Sequence, residues 1–404
     1  MVKTVLGEHM NTNKKKMDDI YTYMKFRGDL DLKNFPLNEV DALIFSELAY
    51  IQFKNIVPAV GEKGTITLKE AAQKYIPKEG KESIFYVRYE KLLEAVTECP
   101  RYAELQLSNY VSVIDQEEKQ QFSALHIHIN PFLTFIAFRG TDETLVGWRE
   151  DFDMSYKMPV PAQISAVDYV NQTTKGIFQK YYIGGHSKGG NLAIYSSVFC
   201  DASVQNNIKA VYNFDGPGFH KKIADNDSYL KIKERIHTFV PEASVVGMLM
   251  EHEEKYKVVK SYETTFMQHE GLSWSVDGIK FETVESVDEF SNSISVTLKG
   301  WLEKADCEDR KVMVNALFDI LEVGGIHSVL DFKDISVHNT TAMVKAAAAL
   351  PKEQREIVSY LIKTWISESK KTVVNAIKEE SILEIPIPEI RKRRKGSKEL
   401  GQQN

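Results

Sequence analysis

Cysteine is scarce in this chain of 404 residues: Cys99, Cys200 and Cys307 lie far apart. That spacing builds neither a disulfide framework nor a Cys-x-x-Cys metal or redox site, and it suits a reducing compartment. A basic excess is missing as well. With 51 Lys+Arg against 57 Asp+Glu the net charge is −6, which argues against a general nucleic-acid binder, so no specific nucleic-acid partner is expected. No run approaches the roughly 18 consecutive apolar residues of a membrane span. Ahead of Lys14-Lys15-Lys16 only Val5 and Leu6 form an apolar pair, short of what a secretory signal needs. Together these absences predict a cytoplasmic protein. What is present, 43% hydrophobic and 27% charged residues, is the composition of an ordinary globular chain.

Apolar spacing over residues 17 to 54 predicts two helices, broken at Phe35-Pro36. From Leu125 short β-rich runs take over: Leu125 to Ile129, Leu133 to Phe138, Tyr181 to Ile183, Ile208 to Phe214, Arg235 to Val240, Tyr256 to Val259 and Thr264 to Met267. Helical stretches at Ala162 to Phe178 and Gly190 to Val198 alternate with them, which predicts an α/β fold with a mostly parallel central sheet flanked by helices. Asp277-Gly278 reads as a hairpin turn. Past residue 285 four amphipathic runs, Ile294 to Leu302, Val312 to Leu321, Ala342 to Leu350 and Glu353 to Trp365, predict a helical C-terminal segment. The expected organisation is a flexible N-terminus over 1–16, the α/β unit over 17–285, helices over 286–384 packed on or beside it, and a basic disordered tail over 385–404.

One stretch carries most of the chemistry. Tyr182-Ile183-Gly184-Gly185-His186-Ser187-Lys188-Gly189-Gly190 ends a β-prone run in Gly-x-Ser-x-Gly and begins a helix, the context of a nucleophile elbow. So sharp a turn leaves no room for side chains two positions either side of the serine, which Gly185 and Gly189 satisfy. Ser187 then stands at the tip, near the positive end of the following helix, with the Lys188 N–H as one oxyanion donor. A phosphate-binding loop is the competing reading, but no Gly-x-x-x-x-Gly-Lys-Ser/Thr occurs.

A serine hydroxyl needs a histidine to take its proton and a carboxylate to orient that histidine. His269, placed at the end of the last expected strand, is the leading base, with His252 behind it. For the acid, Asp215 follows the strand after the nucleophile helix and Glu242 follows the next strand, so Asp215 leads and Glu242 is the alternative. Upstream, Phe138-Arg139-Gly140-Thr141 is a strand running into a polar turn that offers the Thr141 N–H and hydroxyl as the second half of an oxyanion hole. His126-x-His128 lacks a third ligand, so neither a metal nor any cofactor is expected. The run from Arg391 to Lys395 is read as a solvated tail that offers peripheral contact with an anionic membrane.

Phe138-Arg-Gly-Thr141 together with Gly185-His-Ser-Lys-Gly-Gly190 resembles the class 3 (fungal-type) lipases, although those carry leucine where Lys188 stands and an Asp-x-Val-Pro where this chain has Ser244-Val245-Val246-Gly247. A broader likeness adds Arg27-Gly28-Asp29-Leu30, Asn38-Glu39-Val40-Asp41, Phe214-Asp-Gly-Pro-Gly-Phe219, Val246-Gly-Met-Leu249 and Gln268-His269. Over residues 17 to 285 the chain is similar to the lipase-like Mbeg family of bacterial α/β hydrolases. That resemblance implies an α/β-hydrolase fold with Ser187 and His269 at the catalytic positions. The expected activity is cleavage of a carboxylic ester, an acyl lipid or small acyl ester, through an acyl-enzyme. The alternative is an inactive hydrolase-fold protein serving as an interaction module.

Overall fold

The computed structural model describes residues 18–359 apart from 78–82, 116–119, 142–144, 175, 177, 221–222, 224, 264, 290, 293–295, 297–299, 301–304, 328–330, 332–335, 353 and 357. The N-terminal segment 1–16, the tail with Arg391 to Lys395, and most of the helices expected over Ile294 to Leu302 and Glu353 to Trp365 lie outside the described residues. No helix among the described residues is long and apolar enough to cross a membrane.

Eleven strands are present among the described residues: β1 (Ile66–Thr67), β2 (Gln106–Asp115), β3 (Gln120–Asn130), β4 (Leu133–Phe138), β5 (Lys180–His186), β6 (Ile208–Phe214), β7 (Ile236–Pro241), β8 (Tyr256–Val259), β9 (Val276–Asp277), β10 (Lys280–Phe281) and β11 (Thr283–Val284). Nine form one sheet in the order β1-β2-β3-β4-β5-β6-β7-β8-β11, and β9 pairs with β10 as a separate hairpin. The sheet is mixed, which corrects the expectation of a mostly parallel one. Strands β4 to β8 run parallel, whereas β1 to β4 and the β8–β11 edge are antiparallel. Connection length explains the antiparallel pairing of β2 with β3 and of β3 with β4. Two residues join β3 to β4 and four join β2 to β3, too few for the crossover that parallel pairing requires. Each parallel step instead has room for a crossing segment, such as the helix Lys188–Phe199 between β5 and β6.

Alternate residues of the central strands enter two cores. On β4, Phe135 and Ala137 join the core built on the helix Glu39–Leu48. Ile136 and Phe138 face the opposite core, with Leu192, Ala193 and Tyr169 from the helices Lys188–Phe199 and Pro161–Thr173. Two elements depart from the expectation. Strand β2 was not anticipated, because Asn109 sits at φ 53° beside a register shift between Ser108 and Val111 that breaks the two-residue alternation. Residues Thr265–His269, read as part of a strand, form a 3-10 helix, since β11 already occupies the free edge of β8.

The Asn38-to-Asp41 motif closes a capping box on the helix Glu39–Leu48. Fully buried Asp41 then accepts from Arg101 Nε (2.8 Å) and Nη2 (2.5 Å), from the Tyr23 hydroxyl (3.0 Å) and from the Tyr102 hydroxyl (2.6 Å). Arg101 Nη1 donates to the carbonyls of Leu30 and Phe35 at 2.6 and 3.0 Å, so one ion pair ties the 28–38 loop to the helix beneath the sheet. Asp41→Ala leaves that guanidinium buried without a countercharge and is expected to cost about 3–5 kcal/mol. A urea denaturation series on both proteins measures it; an unmoved midpoint contradicts the assignment.

Candidate active site

Strand β5 ends at His186, and the next residue, Ser187, adopts φ 57° and ψ −133° before the helix begins at Lys188. A non-glycine residue at positive φ is strained, and such strain persists only where the surroundings over-determine it. Here they do. The Ser187 N–H donates to the Phe214 carbonyl at 2.8 Å. A Cβ on Gly185 would overlap the Gly189 backbone, and one on Gly189 would overlap the Phe138 carbonyl. The Ser187 side chain makes no capping hydrogen bond to its own helix, so the helix does not consume the hydroxyl. At Gly140 a Cβ would lie 2.5 Å from the His186 carbonyl and 3.0 Å from Ser187 Cβ, which brings the Arg139-Gly140-Thr141 turn directly against the elbow.

Asp215 follows β6, also at positive φ (53°), and is fully buried. Its Oδ2 accepts from His269 Nδ1 at 2.6 Å, while Oδ1 accepts from the Ser244 hydroxyl at 2.5 Å and the Gly247 N–H at 3.1 Å. The carboxylate meeting Nδ1 is thus that of Asp215 and not that of Glu242, which follows β7 only half-buried and acts electrostatically on Lys260. The Ser244-to-Gly247 segment, departing from the lipase pattern, therefore gives the Asp215 carboxylate a pair of donors. His252 lies elsewhere, with Nδ1 3.0 Å from Glu254 and Nε2 2.6 Å from the Gly247 carbonyl.

His269 ends the 3-10 helix Thr265–His269 instead of a strand, and side-chain donors hold its backbone. The Trp274 indole donates to the Gln268 carbonyl at 2.8 Å, and His186 Nε2 donates to the His269 carbonyl at 2.7 Å. The two imidazole rings lie 4.8 Å apart. Since His186 immediately precedes Ser187, this contact brings His269 to the elbow.

At Thr141, expected as an oxyanion donor, the structure is narrower than the sequence suggests. The Thr141 hydroxyl has one hydrogen, and it faces both carboxylate oxygens of buried Asp151 at 3.1 Å, which leaves the N–H as the donor that residue offers. Burial pushes the Asp151 carboxyl up to about 7, with Glu150 adding to the rise and Lys188, Thr141 and His269 opposing it. The Lys188 ammonium is itself fully buried and bonds Glu150 Oε2 at 2.6 Å, so the side chain that replaces the lipase leucine is an internal cation with its own counterion. Residues missed by sequence reasoning form the layer beneath: Asp151, Glu150, Tyr50 and Glu47. Asp151 lies in a polar stretch that the Phe-Arg-Gly-Thr motif already drew attention to. Glu47 had a fainter signal, a lone acid inside Leu43-Ile44-Phe45-Ser46-Glu47-Leu48-Ala49-Tyr50.

His126 and His128 stack edge to face at 6.0 Å, with His126 buried. His128 bonds Ser108 at 2.7 Å and Thr134 at 3.1 Å. No group of three or more His, Cys, Asp or Glu side chains that could hold a metal ion occurs among the described residues.

A family model described as Mbeg1-like matches residues 96–319. No curated protein matches the chain. Among solved structures, the chain is similar to the lipase of Rhizomucor miehei in its propeptide complex, at 15% identity and a TM-score of 0.31, over 52% of this chain and 69% of that one. It is also similar to M37 lipase, at 13% identity and a TM-score of 0.34, over 68% of this chain and 97% of that one.

A buried acid raised to about 7 keeps its proton in the fold while the unfolded chain has lost it. Asp151 by itself therefore makes the native state less stable as pH rises from about 4 to about 7, by up to about 1.4 kcal/mol per unit. Asp151→Asn removes that dependence. Denaturation at pH 5 and at pH 7 should show the variant gaining on the wild type at the higher pH; a constant difference contradicts the protonated Asp151.

Proposed function

The chain belongs to the Mbeg1-like family, and from that premise and the geometry around Ser187 we propose that it is a serine hydrolase of the α/β-hydrolase fold acting on a carboxylic ester. The observation that carries this reading is the 2.6 Å hydrogen bond from His269 Nδ1 to buried Asp215, made beside a strained, uncapped serine at a strand-to-helix turn. A serine whose neighbour histidine is oriented by a carboxylate is equipped to lose its proton as it attacks.

In this mechanism Ser187 Oγ attacks the carbonyl carbon while His269 Nε2 takes its proton. Asp215 stabilises the resulting imidazolium and keeps the proton on Nδ1. Negative charge gathering on the carbonyl oxygen is met by the N–H groups of Thr141 and Lys188, the second at the positive end of its helix. The imidazolium then protonates the departing alcohol, leaving an acyl-Ser187. Water, deprotonated by the same histidine, releases the acid. Every proton in the cycle is handled by side chains of this chain, and no cofactor enters. We assign an acyl lipid or small acyl ester as substrate and a cytoplasmic setting.

Fluorophosphonate labelling followed by intact mass tests the reading. Wild type is expected to gain one adduct, while Ser187→Ala and His269→Ala gain none. Asp215→Asn should label on the order of 10^4-fold more slowly because the imidazole loses its orienting charge. Equal labelling of wild type and Ser187→Ala, or none of wild type, overturns the proposal.

A further inference from the structure

Beneath the elbow lies an acid the mechanism does not use. Glu47, on the helix Glu39–Leu48, is fully buried, and neither of its carboxyl oxygens has a hydrogen-bond partner among the described residues. Its Oε1 stands 3.6 Å from His186 Nδ1. The other nitrogen of that ring, Nε2, donates to the carbonyl of His269, and the Tyr50 hydroxyl lies 3.1 Å from Nδ1. A carbonyl accepts only, so Nε2 must carry the hydrogen and the neutral ring must present a lone pair at Nδ1. We propose that Glu47 and His186 are positioning residues for His269, Glu47 selecting the His186 tautomer that holds the His269 backbone at the elbow. This rests on the hydrolase reading for its effect on turnover, but not for its effect on the tautomer.

Protonated, Glu47 places no charge beside Nδ1, and the Tyr50 hydroxyl donates to the lone pair there, which favours Nε2–H. Ionised, Glu47 presents a negative charge there instead. The Glu47–His186 pair then holds one proton where it held two; that proton is drawn to Nδ1, and Nε2 is left with a lone pair facing the His269 carbonyl. Tyr50 has a second acceptor at hand, the His186 carbonyl at 3.5 Å. The charged and titratable groups facing the pair are Arg88, itself ion-paired with Glu270, together with Tyr21, Tyr50 and His269. Burial raises Glu47 to about 8 with Arg88 opposing, and burial holds His186 well below the usual imidazole range. Release of His269 is therefore an alkaline event.

Two measurements on the full chain test this. The first reads the ^15N shifts of the His186 imidazole, assigned by their loss in His186→Gln, from pH 6 to 9.5. Wild type is expected to hold Nε2–H at pH 7 and to change with a midpoint near 8, and Glu47→Gln to hold Nε2–H throughout. The second reads the fluorophosphonate labelling rate, which should fall about tenfold from pH 7 to pH 9 in wild type and not in Glu47→Gln. An Nδ1–H tautomer at pH 7, or the same pH course in both proteins, overturns the inference. If wild type never labels, the hydrolase reading fails while the tautomer measurement still decides this one.

Discussion

At Ser187 the chain passes from extended strand to helix within one residue, and the geometry this demands reaches well beyond the turn. The serine takes a left-handed conformation, its flanking glycines sit against backbone with no space for a Cβ, and the ends of β4, β5 and β6 are drawn together around it. Because β4, β5 and β6 are parallel neighbours, their C-terminal ends deliver Arg139-Gly140-Thr141, Ser187 and Asp215 to one edge. That the remainder of the sheet is antiparallel matters little to the site. The five-strand parallel run is what gathers these residues; its crossing helices cover one face, and the helix Glu39–Leu48 covers the other.

A second constraint is charge. Lys188, Glu150, Asp151, Asp215 and Glu47 are all buried around the elbow, where an unpaired ion costs several kcal/mol. The structure meets that cost in different ways. Lys188 and Glu150 pair directly, Asp215 is bonded by His269, Ser244 and the Gly247 N–H, and the carboxyls of Asp151 and Glu47 are pushed toward their neutral forms. Titrations of buried acids are consequently part of how this site behaves.

Much of this architecture was legible in the sequence where a local pattern encodes it. β4, β6 and β8 emerged with their limits because alternating or continuous apolar runs were bounded by turn residues. Glycine spacing and chain order pointed to Ser187, His269 and Asp215, and the fold sets the last two 2.6 Å apart. What stayed hidden depended on long-range contact. The 3-10 turn ending at His269 looked like a strand because its β-prone residues do not reveal that the sheet edge is taken. The engagement of the Thr141 hydroxyl by Asp151 follows from how the helix Leu145–Asp153 packs, and no spacing connects Glu47 or Tyr50 with a histidine more than 130 residues later.

The helix Leu145–Asp153, which supplies Glu150 and Asp151, is also gripped from its far side. Phe152 packs edge to face on Phe318 at 5.6 Å, Arg149 donates to Asn315 at 2.5 Å, and Arg310 donates to the Ser155 carbonyl at 2.9 Å. These contacts join it to the helix Cys307–Val323. The counterion of Lys188 is thereby held in place by a segment that follows the sheet in the chain.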